Sequence, residues 1–418
     1  MNDAALELSA LPSDWDIKPL FAVARETAKK NVGLVEQNLL SLSYGKIIRK
    51  DINTSEGLLP ESFEGYQIVE KGDTVLRLTD LQNDKRSLRT GLVQERGIIT
   101  SAYVGVRPER IDPRFFARLL YAYDVNKAFY AMGGGLRQGI NFDELKRLPI
   151  PLPPLAEQRR IADFLDDQVT RIDQVSHLRK RQATLLSRRR NHPLIDAVSD
   201  LGEQVPSPID WFPSWQSDWR RLRLSWIAKC FDGRRIPLSA QEREGRAGPY
   251  PYFGASTVVD HIDDYLFDGD YILVGEDGAS LENEDFDVVQ QVRGRFWVNN
   301  HAHVLQGTEV ENAYLAEFLR CVDRPILISG ATRPKITQED LMSISVAVPG
   351  PDVRSALTAA CVAQREASAR LEGRIRHSVE LLQERKRSLI TAAVTGEFDV
   401  STASIRASEV ATAGGGDQ

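Results

Sequence analysis

LPPLAEQRRIADFLDDQVTRIDQVSHLRKRQATLLSRRRNHPLIDAV, residues 152–198, decides the fold of this chain. Pro151, Pro153 and Pro154 hold an extended approach, because proline fixes φ and biases the residue before it away from helix. No glycine or proline then occurs until Pro193. Ile161, Phe164, Leu165, Val169, Ile172, Val175, Leu178, Leu185 and Leu186 recur at steps of three and four, one apolar stripe on a long helix whose other face carries Asp and Arg. At 1.5 Å per residue such a helix reaches roughly 50 Å, and a stripe that long needs a partner helix.

The partner lies in the same chain. Residues 352–394 repeat the plan, with Leu357, Leu371, Ile375, Val379, Leu382 and Leu389 as the stripe. The approaches repeat as well. Arg137 and Arg333, Ile140 and Ile336, Leu145 and Leu341, and Pro153 and Pro349 share one offset of 196 residues. Ser13-Asp-Trp15 is echoed by Ser217-Asp-Trp219. The sequence therefore reads as an internal duplication: globular part, long helix, globular part, long helix.

At 418 residues the chain is long enough for more than one domain. Three well-separated cysteines, Cys230, Cys321 and Cys361, argue against a disulfide scaffold and for a reducing compartment. No signal peptide or apolar spanning run is read, so a cytoplasmic protein is expected. The net charge of −6 weighs against wholesale coating of nucleic acid, but a local basic surface remains open, since fields act locally. Arg159, Arg160, Arg171, Arg179–Arg181 and Arg188–Arg190 make the first long helix positive.

Short β-type runs at 38–43, 74–78 and 98–104 and a helix over 115–130 give an α+β first part with a twisted or barrel-like sheet. The second part repeats this, with strands expected at 265–274 and 296–305 and a helix at 312–321. The expected limits are 1–150 and 201–350 for the globular parts, 151–200 and 351–400 for the helices, and 401–418 for a disordered tail.

Several pieces, in order, resemble the specificity subunit of type I restriction–modification systems. They are Arg77-Leu-Thr-Asp-Leu-Gln82, Gly97-Ile-Ile-Thr-Ser-Ala-Tyr103, the run 148–158, Gly275-Glu-Asp-Gly-Ala279, the run 297–305 and the run 392–400. The resemblance covers roughly residues 11 to 400. It implies two target-recognition domains, each reading one half of a split double-stranded DNA sequence. It also implies that the long helices pair antiparallel, set the spacing and dock two methyltransferase subunits, which endonuclease/translocase subunits join. S-adenosylmethionine, magnesium and ATP then belong to those partners, and no cofactor is expected in this chain. The second half departs from the pattern: Gly350-Pro-Asp-Val-Arg354 stands where the first has Pro154-Leu-Ala-Glu-Gln158.

A split DNA reader needs donors for phosphates and base edges. Under the resemblance these are Arg77, Gln82, Lys85, Arg86, Arg89, Tyr103 and Arg137 in the first part. Arg234, Arg235, Tyr252, Arg293, Arg295, Arg333 and Lys335 correspond in the second, with Glu276 or Asp277 presented toward DNA from a turn. Partner contacts are expected at Leu155, Ile161, Phe164, Leu165, Ile172, Leu371, Ile375, Leu382 and Leu389. His301 and His303 would share one strand face, but no Cys or third His lies near them in sequence, so no metal site is expected. Neither a base-methylation Asn/Asp-Pro-Pro-aromatic motif nor a phosphate-binding glycine loop is present, so no catalysis is read in this chain alone. The rival readings are a coiled-coil scaffold with nonspecific DNA binding and a divergent nuclease or methyltransferase.

Overall fold

The computed structural model describes Leu6, Leu8 and residues 11–53, 62–81, 88–132, 139–190, 192–277, 281, 287–323, 328–329 and 335–400. The expected tail, 401–418, lies outside them. Two compact units form: residues 1–177 with 380–418, and residues 178–379. The limits fall inside both long helices, so each helix contributes one portion to each unit.

In the first unit, β1 (Asp16–Pro19) pairs antiparallel with β10 (Pro149–Leu152). Between them, β2 (Ala24–Glu26), β9 (Val104–Pro108), β6 (Thr74–Leu76) and β7 (Thr90–Leu92) form one four-stranded sheet in that order. A second sheet runs β4 (Lys46–Lys50), β3 (Leu39–Ser43), β8 (Gly97–Ile99), β5 (Gln67–Val69). Leu40, Val69, Val75, Val93 and Ile99, from both sheets and their connections, form one small core. The run 98–104, expected as one strand, is two. A turn closed by Tyr103 N donating to Thr100 O (3.1 Å) separates β8 from β9. Gly97 opens β8 because a Cβ there would lie 2.5 Å from the Asn38 carbonyl.

Helix α1 (Pro113–Val125) begins where Asp112 accepts from Arg114 N and Phe115 N, with proline in its first turn. It stops sooner than its apolar pattern, because Lys127 turns left-handed (φ 63°) and a short 3₁₀ turn follows. Phe115, Phe116, Leu119, Leu120 and Tyr123 form the main core. Ile161, Ala162, Leu165 and Val169 join it from α2 (Leu155–Arg190), and Ile390, Ala393 and Val394 from α4 (Pro351–Val394). Within this unit the two helices run antiparallel. Lys386 Nζ meets Asp173 at 2.7 Å, and Gln383 Nε2 donates to Ser176 Oγ at 3.3 Å.

The second unit repeats the frame. β11 (Arg220–Arg223) pairs antiparallel with β18 (Ser345–Val348) as β1 does with β10. Leu224 N donates to Ile344 O where Leu20 N donates to Leu148 O, both at 2.9 Å. Its sheet is one layer of six strands. In order they are β12 (Ala228–Cys230), β17 (Ala302–Gly307), β15 (Phe267–Gly275), β16 (Val289–Val298), β13 (Ala247–Phe253) and β14 (Val258–Ile262). Gly275 ends β15 because a Cβ there would meet the Ala255 carbonyl at 2.6 Å. Helix α3 (Asn312–Arg320) packs Tyr314, Leu315 and Phe318 into a core that Leu357 and Cys361 of α4 complete.

The duplication is sharpest where each long helix starts. Gln158, buried in the first turn of α2, donates to Pro153 O (2.7 Å) and accepts from Asp112 N (2.8 Å), the residue that caps α1. Arg354, offset by the same 196 residues, donates to Pro349 O (2.9 Å) and to both carboxylate oxygens of Glu311, which precedes α3 (2.7 and 3.0 Å). The same joint is built twice with different chemistry.

Candidate nucleic-acid interface

The expected donors separate into three groups. Gln82, Lys85, Arg86, Arg137 and Arg333 lie outside the described residues. A second group is consumed by the fold. Arg89 is fully buried: Nη1 donates to Arg77 O (3.1 Å) and Thr79 O (2.7 Å), Nη2 to Asp80 O (3.1 Å) and Nε to Tyr130 Oη (3.1 Å). It ties backbone carbonyls together and does not face DNA, which corrects the sequence reading. Tyr252 is corrected in the same way, buried with its hydroxyl accepting from Leu238 N at 2.9 Å. So is Arg235, which binds Glu276 (2.6 Å) and Ala302 O (2.9 Å) inside the unit. Glu276, expected to point at DNA, is buried beneath Arg235 and Lys335.

The third group is exposed or half-buried. Arg293 and Arg295 stand exposed on β16, the former 3.5 Å from Asp270 and the latter 3.0 Å from Asp268 and stacked over Tyr265. Arg234 lies exposed over the Phe267 ring (4.6 Å) and donates to Leu266 O. Lys335 Nζ, half-exposed, reaches Glu276 at 2.7 Å. Arg77 and Tyr103 are half-buried, Tyr103 against the small core of the first unit. Both pairs are exposed, and exposed pairs of this kind are weak, so neither arginine is held firmly by its carboxylate.

One cationic feature was missed. Lys46-Ile-Ile-Arg-Lys50 forms β4, an edge strand whose Lys46, Arg49 and Lys50 are exposed, with Arg49 paired to Glu95. The signal was a strand-length run in which three cations flank two apolar residues. Lys46 also lines a cleft of about 910 Å³ with Lys71, Arg114, Arg118 and Lys386.

The apolar stripe divides too. Ile161 and Leu165 are buried in the core of the first unit, and Ile172 and Ile375 are buried as well, so none of the four is exposed for a partner, a correction to their expected role. Phe164 stacks on Phe398 at 5.6 Å, and Leu382 and Leu389 are half-buried. Leu155 and Leu371 remain exposed. Val175 and Leu381 in the first unit, and Leu178 and Leu185 in the second, are exposed as well, though the sequence assigned Val175, Leu178 and Leu185 to contacts between the helices. His301 and His303 also part company: His301 meets Asp277 from the turn before β17 (2.8 Å), while His303 is buried inside the strand.

Beneath Arg89 lies Asp124, whose Oδ2 accepts from Arg89 N at 2.5 Å. Burial pushes this carboxyl up to about 6, against the opposing pull of that amide and of nearby cations. The folded unit therefore binds more protons than the unfolded chain between about pH 4 and 6, so stability falls as pH rises through that window. Asp124→Asn keeps the acceptor and removes the charge. It is expected to exceed the native chain in stability by about 2–3 kcal/mol above pH 6 and to match it near pH 4. Thermal melts across that range check this; a gap independent of pH would sink it.

No helix among the described residues is long and apolar enough to cross a membrane. A solved chain from a type I restriction–modification system, from work on its complex assembly and conformational transition, overlays with a TM-score of 0.69 at 16% identity, over 93% of this chain and 99% of that one. The type I restriction enzyme specificity subunit S.HindORF215P of Haemophilus influenzae is 31% identical over 151 residues, 36% of this chain and 35% of that protein. This match therefore spans about a third of the relative's length. The MjaX specificity subunit of Methanocaldococcus jannaschii is 23% identical over 96% of this chain and 97% of its own. The family model for the type I restriction modification DNA specificity domain matches residues 99–182 and 216–388, so each match includes part of a long helix and of a globular part. With the frame, the joint and the helix built twice, the chain belongs to the type I restriction–modification DNA specificity family.

Proposed function

We propose that this chain is the DNA-recognition subunit of a type I restriction–modification complex, acting in the cytoplasm, each unit reading one half of a split double-stranded target. The observation that carries the reading is the duplicated joint. Gln158 and Arg354 fix a recognition unit to the start of a long helix in two chemically different ways, so the frame is kept while each unit is free to differ. Arg293, Arg295 and Arg234 in the second unit, and β4 in the first, supply phosphate and base-edge donors of the kind such a reader needs. Exposed Leu155, Val175 and Leu381, with Leu178, Leu185 and Leu371, supply apolar contacts for two methyltransferase subunits, which endonuclease/translocase subunits join. The chain itself performs no chemistry in this reading. S-adenosylmethionine, magnesium and ATP are bound by those partners.

Exchange of residues 11–145 for the equivalent part of a relative is expected to change one half of the methylated sequence and leave the other intact. Mapping methylated bases in cells that carry the hybrid and its methyltransferase reads this directly. A hybrid that assembles, methylates and alters both halves, or neither, overturns the proposal.

A further inference from the structure

In the second unit, three side chains that the DNA-reading surface does not use converge on one point. β12 lies antiparallel to β17, with Cys230 opposite Leu305. The chain then turns through a 3₁₀ segment, Asp232–Arg234. Phe231 N donates to Val304 O (2.8 Å), and Val304 N donates to Asp232 Oδ1 (2.9 Å). This ladder aims the other carboxylate oxygen, Oδ2, at His303 Nδ1, 2.5 Å away. Both side chains are nearly sealed from solvent, His303 at 2% and Asp232 at 8% exposed.

The far side of the imidazole fixes its hydrogen. His303 Nε2 lies 2.9 Å from the Ile336 carbonyl, which only accepts, so Nε2 donates. Nδ1 of a neutral ring would then point a lone pair at a carboxylate, and something positive must stand between them. A proton does this, and so does a metal ion. Cys230 Sγ faces the same point, and the three ligand atoms lie within 4.8 Å of one another.

We propose that Cys230, Asp232 and His303 form a binding site for a borderline divalent cation, Zn²⁺ by its ligand set. Thiolate and imidazole favour zinc over magnesium or calcium, which take oxygen. Bonds of about 2.0–2.3 Å require tetrahedral donors to stand roughly 3.2–3.8 Å apart, so Asp232 and His303 need only separate by less than about 1 Å. The outer layer is in place. The Ile336 carbonyl orients the ring, and the Val304 amide orients the carboxylate, as partners of ligating groups do. A water takes the fourth position, and Glu276 Oε2, 3.9 Å from His303 Nδ1, stays with Arg235.

Charge balances through the exchange. Without metal the group holds imidazolium, thiol and carboxylate, which sum to zero. Burial keeps the thiol protonated, pushed up to about 12. With Zn²⁺ it holds neutral imidazole, thiolate and carboxylate about a dication, again zero. Two protons leave to solvent for each ion bound, and no net charge is added to a buried site where one would be costly. Arg235, Glu276 and Lys335 keep their pairing throughout.

The test uses the full chain without an affinity tag, stripped by chelator and titrated with Co²⁺ as a spectroscopic stand-in for zinc. A thiolate-to-cobalt charge-transfer band is expected to saturate at one equivalent and to vanish on adding Zn²⁺. Cys230→Ala should weaken binding at least about hundredfold and abolish the band. Cys361→Ala, in the unit's core, should keep it. A folded chain without the band, or a band that survives Cys230→Ala, overturns the site. Should Cys230→Ala fail to fold, the native chain decides through proton release: about two protons per Zn²⁺ support the site, and none refutes it.

Discussion

Arg89→Ala should destabilise the first unit by about 4–5 kcal/mol, a fall in its melting temperature of roughly 8–20 °C. The loss has three sources. The carbonyls of Arg77, Thr79 and Asp80, all in the backbone that leaves β6, lose a common donor. The Asp124 carboxylate, whose Oδ1 is buried without a hydrogen-bond partner among the described residues, loses one of the two cations that act on it, the other being Lys127. Tyr130 loses the guanidinium its hydroxyl and ring hold, 5.4 Å from the ring centre. Arg89→Lys should restore less than half, because one ammonium cannot fork to several carbonyls and a phenol. Amide exchange at Val75 and Leu76 in β6 reports the same loss locally. A variant that melts within two or three degrees of the native chain would show that these carbonyls are satisfied without the guanidinium.

At the duplicated joint, Arg354→Ala is expected to cost about 3 kcal/mol and Gln158→Ala about 2 kcal/mol, since a charged bidentate pair is lost in one and neutral bonds in the other. The two joints differ for a reason one residue away. Asp112 turns its carboxylate onto the amides of Arg114 and Phe115, so its own amide is left for Gln158. Glu311 makes no such cap, and its longer, half-exposed side chain reaches Arg354. Arg354→Gln should therefore be tolerated at about 1 kcal/mol, because Pro349 O keeps a donor and Glu311 can turn to water. Chemical denaturation of the three variants ranks them, and an Arg354→Gln as damaging as Arg354→Ala would refute the equivalence of the joints.

What the sequence showed plainly was whatever repeats locally. The helix stripes follow from spacing within a few turns, and the frame of each half follows from prolines and small apolar runs at one offset. The same offset links Gln158 to Arg354, although the two side chains differ in charge. Exposure was harder to read. Arg89, Arg235 and Tyr252 look like surface donors because their neighbours in sequence are polar, yet their partners are carbonyls and carboxylates brought in by folding. The stripe misled in the opposite direction: Val175, Leu178 and Leu185 keep the period of buried residues but have no cover in their own units. Cys230 and His303 are far apart in sequence, and only the pairing of β12 with β17 brings them near each other.

The first unit is made of residues separated by the whole of the second. On a ribosome adding about 5–20 residues per second, the portion of α4 that begins at Glu380 emerges some 10–40 s after His177. Through that interval Ile161, Leu165 and Val169 await Ile390, Ala393 and Val394, which share their core. The second unit, continuous from Leu178 to Val379, has all its residues before the other does. The part of the molecule synthesised first is thus the last that can close. In the cell its apolar face passes through a period in which a chaperone or an assembling subunit can find it before its own helix does.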